Sequence, residues 1–163
     1  MTHGRKPRRP RPTRNPIETA MLRATRLTEA EIAETMAPFL QCATRLREGV
    51  ATRDQVDAVF TAFLIASAIE AGGIIKGLQG HITAAVQAIE AITLRATRTG
   101  TWHPTPLHWH ELDAINTMLE LHPHQLRALS AAELHSTVQR VIHQRRTMGA
   151  SVRHASPQEL LAA

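Results

Sequence analysis

Apolar side chains recur along most of this chain at the spacing of an amphipathic α-helix. Between residues 28 and 48 a period of about 3.6 residues relates Ile32, Met36, Phe39, Leu40, Ala43 and Leu46. The stripe keeps its phase through Pro38, so we predict one kinked helix here rather than two helices. Gly49 suits the left-handed position that often ends a helix.

Four segments have the spacing of a helix capping box, in which Ser, Thr or Asn precedes Glu or Gln by three residues. They are residues 15–18, 28–31, 52–55 and 130–133. An apolar helical pattern follows each of them. The boxes therefore predict a short helix over about 16–26 and longer helices after Thr28, Thr52 and Ser130.

The apolar run Ala58–Ile69 is the longest in the chain without a charge. It is shorter than the roughly 20 residues that a membrane-spanning helix needs. Apolar residues also surround much of the circumference of this helix. We therefore predict that the helix after Thr52 is the most buried one and that the chain does not cross a membrane.

Four glycines follow closely, at positions 72, 73, 77 and 80. Each glycine inside a helix costs about 1 kcal/mol relative to alanine, so a run of four needs a structural reason. The sequence leaves two main alternatives, a break between helices or a close crossing of two helices. A phosphate-binding loop is disfavoured, because neither glycine-rich phosphate motif is present and no strand precedes the segment.

Three further helices complete the predicted fold. One covers 81–98, a second opens at Thr105-Pro106 and runs to Leu121 before Pro123 interrupts it, and a third follows Ser130. The third should bury Leu134, Val138, Val141 and Ile142 and expose Arg140, Gln144 and Arg145. The prediction is an all-α protein, with a single bundle of five to six helices at 16–146 and a flexible tail at 147–163.

Residues 1–15 differ from the rest in composition and charge. They are rich in proline and nearly free of apolar side chains, which is typical of a disordered arm. Their six cations, with no acid among residues 1–16, are Arg5, Lys6, Arg8, Arg9, Arg11 and Arg14. Of 19 basic and 14 acidic residues in the whole chain, 13 and 14 remain outside the arm. The arm alone makes the chain basic, which indicates contact with an anionic partner.

The segment WHPTPLHWHELD at 102–113 concentrates potential metal ligands. Thr105 as N-cap and Pro106 at the first helical position predict a helix start. Residues two apart on a helix lie about 200° apart around its axis, so His108 and His110 should not share a metal ion. His108 should join the buried stripe and His110 should face outward. A metal site formed with Glu111, His103 or other histidines stays open as a less favoured alternative.

No catalytic constellation is visible, so we predict no enzymatic activity and no cofactor. Cys42 is the only cysteine and lies in a helical pattern, which favours a buried, inert thiol. A single thiol and the lack of an apolar segment in residues 1–20 favour a reducing cytoplasm over secretion.

Three segments, LREGVAT, AIEAGGIIKGL and ELDAINTMLELHPHQLRALSAAEL, resemble a group of small uncharacterised helical proteins from phages and integrative elements of proteobacteria. The resemblance covers roughly residues 15–140. It implies a cytoplasmic protein encoded by a mobile element. It carries over no activity and no site residues.

The leading functional hypothesis is nucleic-acid binding through the arm, aided by Arg140, Arg145 and Arg146 on the last helix. The alternative is an interaction or inhibitor module that binds a host or phage protein. PRRPRP in the arm would suit the docking peptide of such a module. A homodimer is compatible with either hypothesis.

Overall fold

The computed structural model of the chain describes residues 17, 20, 21 and 24–147. These residues form five long α-helices: α1 (Glu29–Arg47), α2 (Arg53–Ala71), α3 (Gln79–Ala96), α4 (Trp109–Arg127) and α5 (Ala131–Thr147). The described part contains no strand, only an isolated antiparallel bridge between Arg26 and Ser130. The predicted all-α fold is confirmed. Ile17, Ala20, Met21 and Ala24 are helical, as expected for the short helix at 16–26. The capping box at 15–18 and the tail beyond Thr147 lie outside the described residues.

Helices α1 to α4 pack in chain order, with α4 closing on α1 and also touching α2, while α5 packs against α2. The side chain of Arg127 at the end of α4 pairs with Glu29 at the start of α1, so α1 and α4 are antiparallel. Trp102, in the loop before α4, donates its indole N–H to the carbonyl of Ala51 at 3.0 Å. The loop before α4 therefore lies beside the turn between α1 and α2.

The core consists mainly of aliphatic side chains with one phenylalanine. Helix α2 contributes eight buried residues, more than any other helix, which confirms the prediction for this segment. Phe63 and Met118 are fully enclosed. Cys42 is buried in the same cluster, and its burial raises the pKa of the thiol.

The predicted helix ends of α1, α2 and α5 follow the local sequence. Thr28 with Glu31, Thr52 with Gln55 and Ser130 with Glu133 form reciprocal capping boxes. Pro38 lies inside one continuous helix, as predicted. Gly49 has a φ of +72°, and the N–H of Val50 reaches back to the carbonyl of Arg45. This hydrogen bond and the left-handed glycine belong to a Schellman motif, which ends α1 at the position that the sequence predicts.

The glycine-rich segment is a helix break, which decides between the two alternatives. Gly73 and Gly77 adopt φ values of +78° and +102°, a region that suits glycine because it has no Cβ. The carboxylate of Glu70 then accepts hydrogen bonds from the N–H groups of Gly77, Leu78 and Gln79, at 2.8 to 3.2 Å. These three backbone N–H groups therefore bind an anionic group of the same protein, the side-chain carboxylate of Glu70.

Two predictions about α4 are wrong. Its N-cap is His108 rather than Thr105, because the preceding residues run without helical structure beside the α1–α2 turn. Pro123 does not interrupt the helix, which continues to Arg127. His122, Gln125 and Leu126 are buried around that proline. Their packing maintains the helix despite the N–H that proline lacks.

Candidate nucleic-acid interface

The arm residues Arg5 to Arg14 lie outside the described residues, but residues 24–27, where the chain enters the bundle, are among the described ones. Leu27 donates its N–H to the carbonyl of Leu129, and Ala131 donates to the carbonyl of Thr25, both at 3.2 Å. These two bonds hold residues 25–27 against the beginning of α5. The chain therefore leads from the arm to the first turn of the helix that carries the other predicted site residues.

Helix α5 has one buried and one exposed face. Thr137, Val141 and Ile142 are buried, while Leu134 and Val138 are half-buried against the core. The opposite face exposes eight polar or basic side chains, namely His135, Ser136, Gln139, Arg140, His143, Gln144, Arg146 and Thr147. Of the four residues predicted to be buried, Val141 and Ile142 are buried, and Leu134 and Val138 are half-buried.

The charged side chains on the exposed face of α5 beyond Glu133 are all basic. Residues 134–147 contain three arginines and no acid. The one acidic side chain of the helix, Glu133, bonds the N–H and hydroxyl of Ser130 at 2.8 Å. No carboxylate within the exposed stretch of α5 therefore competes with an external anion.

Arg145 does not belong to this exposed face, which corrects its predicted position. Its guanidinium lies over the ring of Phe60, 5.6 Å from the centroid, and donates to the hydroxyl of Thr61 at 2.6 Å. Burial raises the pKa of the nearby Asp57 carboxyl, and the positive charge of Arg145 partly opposes that rise. Arg145 thus anchors α5 to α2, which leaves Arg140 and Arg146 as the exposed arginines of the predicted set.

The histidines of the segment at 102–113 adopt a different arrangement from the predicted one. His108 has extended backbone angles, with φ of −76° and ψ of 151°, because it precedes the helix. Its ring and that of His110 are nearly parallel, with centroids 5.6 Å apart. Both side chains are exposed, and Trp109 between them is 80% exposed. The prediction of a buried His108 on the opposite side from His110 is therefore wrong.

Glu111 holds the start of α4 through contacts that the sequence pattern did not reveal. Its side chain is 2% exposed and forms a bidentate ion pair with Arg95 of α3. It also accepts the backbone N–H of His108 at 2.8 Å. Burial alone would raise the pKa of Glu111, but the hydrogen bonds from Arg95 and His108 hold it below the ordinary value. The three-residue spacing from His108 was the available signal, although histidine is an unusual N-cap.

A second buried polar group was also missed, because its proline neighbour suggested a turn. His122 is 1% exposed, and its Nδ1 lies 2.9 Å from the side-chain carbonyl of Gln125. The amide of Gln125 donates in turn to the carbonyl of Ala66 on α2, at 3.2 Å. Desolvation lowers the pKa of His122 despite this hydrogen bond, so its ring stays neutral in the core.

The described residues contain no group of three or more His, Cys, Asp or Glu side chains that could hold a metal ion together. His103 lies 2.8 Å from the hydroxyl of Thr101, and the carboxylate of Glu111 is held by Arg95. The predicted alternative of a metal site around these residues therefore gains no support from their geometry.

No family model, curated protein or solved structure matches this chain. None of the helices in the described part is both long and apolar enough to span a bilayer.

Proposed function

We propose that this protein binds nucleic acid without sequence specificity, through its basic arm and the outward face of α5. The observation that carries the proposal is the pairing of residues 25–27 with 129–131. That pairing holds residues 25–27, which lead to the arm, against the start of α5. Helix α5 is the helix that exposes Arg140 and Arg146.

The dimensions of the chain allow the two basic parts to act on one ligand. Helix α5 has 17 residues, and at 1.5 Å per residue it is about 25 Å long. Fourteen extended residues reach at most about 50 Å. Residues 16–24 separate the arm from the first turn of α5, and as the helix that the sequence predicts they would span about 14 Å. The arm is long enough to cross this distance and still follow a phosphate backbone along the whole helix. In this arrangement α5 supplies a fixed basic surface and the arm supplies most of the charge.

The absence of sequence specificity follows from the exposed side chains. Arginines that contact phosphates neutralise charge but do not distinguish bases. Among arginine, asparagine and glutamine, the side chains that make the commonest specific base contacts, the outward face of α5 exposes only two arginines and two glutamines.

A salt titration of binding tests the proposal directly. The full chain and a variant without residues 1–14 would be titrated with random-sequence duplex DNA and with RNA. For six cations that each release counterions, the slope of log K against log salt is about −5 for duplex DNA. The slope should become shallow when the arm is removed. Unchanged affinity after the deletion would contradict the role of the arm.

A matched control separates charge from the order of residues in the arm. One variant replaces the six arm cations with glutamine, and another permutes residues 5–14 without changing their composition. Non-specific binding predicts that the glutamine variant behaves like the deletion and that the permuted variant keeps the full slope. Loss of binding in the permuted variant would indicate recognition of an ordered motif instead.

The arginines of α5 provide a second matched comparison. The double substitution R140Q/R146Q should reduce the magnitude of the salt slope by up to about 2 without changing thermal stability. R145Q should lower stability, because it removes the contacts with Phe60 and Thr61, and should change the slope less. Equal effects of the two variants on the slope would contradict the assignment of the outward face.

The alternative is a protein-binding module, and exposed apolar side chains favour it. Trp109 is 80% exposed and Leu94 is 74% exposed. A partner that covers such side chains would bind with little dependence on salt. The same titration therefore distinguishes the two functions: no binding to DNA or RNA at low salt by either chain would favour the protein-binding alternative.

A further inference from the structure

Helices α1 and α4 leave a cleft of about 320 Å³ between them. One stripe from each helix lines it, namely Leu40, Ala43, Thr44 and Arg47 of α1 and Asn116, Leu119 and Glu120 of α4. The spacing of three or four residues within each stripe places its members on one side of the helix. Small-molecule sites in proteins have volumes of about 300 to 1,000 Å³, so this cleft suits a ligand at the small end of that range.

The charged side chains of the cleft do not pair with each other. Arg47 and Glu120 form no ion pair with any side chain of the described residues, although Arg127 and Glu29 pair across the same two helices at 2.7 Å. The side chain of Asn116 also has no hydrogen bond within the described part of the chain. A cation, an anion and an amide therefore line one cleft with unused hydrogen-bonding capacity.

The two charges are separated along the length of the cleft. Because α1 and α4 are antiparallel, Arg47 in the last turn of α1 lies toward the start of α4, on the side of Asn116. Glu120 is four residues further along α4, a rise of about 6 Å. A ligand group that carries both charges, with a charge-assisted hydrogen bond of about 2.8 Å on each side, fits between the guanidinium and the carboxylate.

Apolar side chains form the rest of the lining. Leu119 is 6% exposed and Leu40 is 48% exposed, while Ala43 is half-buried against the core. The hydroxyl of Thr44 donates to the carbonyl of Leu40 at 3.0 Å, so its oxygen is left to accept from a ligand. Covering the exposed part of Leu40 with an aliphatic group would remove apolar surface from water and favour binding.

We propose that this cleft binds a free α-amino acid with an aliphatic side chain, with L-leucine as the reference. Its carboxylate binds Arg47 and Asn116, and its ammonium group binds Glu120. Its side chain covers Leu40 and Leu119. The charges of the lining disfavour other ligand classes, because the carboxylate of Glu120 repels an anion such as a phosphate ester and the guanidinium of Arg47 repels an amine. Only a zwitterion uses both charges.

Titration of the isotope-labelled full chain with L-leucine, followed by nuclear magnetic resonance, tests the proposal. We expect saturable shifts of backbone amide signals, concentrated in residues 40–47 and 116–120. Isocaproate, which lacks the ammonium group, and leucinamide, which lacks the carboxylate, should each bind about tenfold more weakly, because each loses a charge-assisted hydrogen bond. Equal affinities of leucine and the two analogues would overturn the proposal, as would the absence of saturable binding.

Substitutions of the two charges assign the site. R47Q/E120Q should abolish saturable binding and leave the melting temperature nearly unchanged, since both side chains are exposed. E34Q/R98Q removes one exposed acid and one exposed base outside the cleft, and should bind leucine as the unmodified chain does. Unchanged binding by R47Q/E120Q, or amide shifts away from the cleft, would contradict the assignment. None of these outcomes depends on nucleic-acid binding.

Discussion

Helix α4 buries a polar group near each end, and the two groups are held by different interactions. Near its start, Glu111 is 2% exposed and pairs with the guanidinium of Arg95. Near its end, His122 and Gln125 are at most 1% exposed and form a neutral hydrogen-bond chain to Ala66. One site keeps a charge in the protein interior, whereas the other excludes charge from it.

The comparison shows that a lowered pKa has opposite meanings at the two sites. Burial opposes ionisation of Glu111, but its hydrogen bonds outweigh burial, so the carboxylate stays charged. Burial also opposes ionisation of His122, and there it outweighs the bond to Gln125, so the ring stays neutral. A negative charge near the start of a helix is further favoured by the helix dipole.

The largest expected effect is the loss of the charged site. E111Q removes the negative charge and leaves the Arg95 guanidinium without its ion-pair partner. Breaking a buried ion pair costs about 3–5 kcal/mol, and the side chain of Arg95 is 31% exposed, so we expect the low end. Urea unfolding followed by circular dichroism measures the loss in free energy of unfolding.

Two further variants examine the same pair. E120Q changes an exposed carboxylate of α4 and should have little effect. R95M with E111L replaces the pair by apolar side chains and should be more stable than E111Q, because it leaves no unpaired charge in the interior. If E111Q behaves like E120Q, the difference drawn between the two ends of α4 is wrong.

The next effect is the dependence of stability on pH, and it separates the two sites. The pKa of His122 is lower in the folded than in the unfolded chain, so the unfolded chain binds a proton first as the pH falls. Stability should therefore decrease below about pH 6.5, by up to about 1.4 kcal/mol per pH unit. Urea unfolding from pH 8 to pH 5 measures the slope.

Two variants test whether His122 causes this decline in stability. H122L should flatten the decline between pH 6.5 and 5, whereas H124Q, which changes an exposed histidine, should retain it. Glu111 acts in a different range, because its contribution is present above its unfolded pKa of about 4.3 and is lost as the pH falls through the lower folded value. A profile of H122L identical to that of the unmodified chain would contradict the proposed neutral site.

Sequence reasoning succeeded where the determining signal is local. The capping boxes of α1, α2 and α5 and the stop at Gly49 depend on residues within five positions of one another, and each was predicted correctly. The partners of Glu111 and Gln125 are determined by packing between helices, since Arg95 and Ala66 lie 16 and 59 positions away in the chain. Periodicity within one helix contains no information on such partners.

The candidate nucleic-acid interface, like the fold, was predicted correctly only where local patterns determine it. The arm and the exposed Arg140 and Arg146 follow from composition and helical phase. The bridge between Arg26 and Ser130 holds the segment that leads to the arm against α5. It links distant parts of the chain, so no local sequence pattern predicts it. Arg145 was misplaced because the contact with α2 extends past the apolar stripe to Phe60 and Thr61.

A smaller effect tests whether His122 and Gln125 act as one unit. Q125L leaves the His122 donor and the link to Ala66 without a partner, and should cost about 1–2 kcal/mol. H122L/Q125L removes both polar groups and should cost less than the sum of the two single substitutions. A double-mutant cycle in urea measures this coupling, which should be near 1 kcal/mol. Additive effects would show that the two side chains are independent.

The smallest expected effect concerns a third polar contact of α4, at its exposed end. Arg127 forms a bidentate pair with Glu29, at 2.7 and 2.9 Å, but both side chains are in solvent, with exposures of 43% and 71%. Water and salt screen such a pair, so E29Q should leave the melting temperature nearly unchanged at 150 mM salt. A loss comparable to that of Q125L would mean that the pair also secures the adjacent bridge between Arg26 and Ser130. In that case E29Q should also weaken nucleic-acid binding, because the connection to the arm would no longer be fixed beside α5.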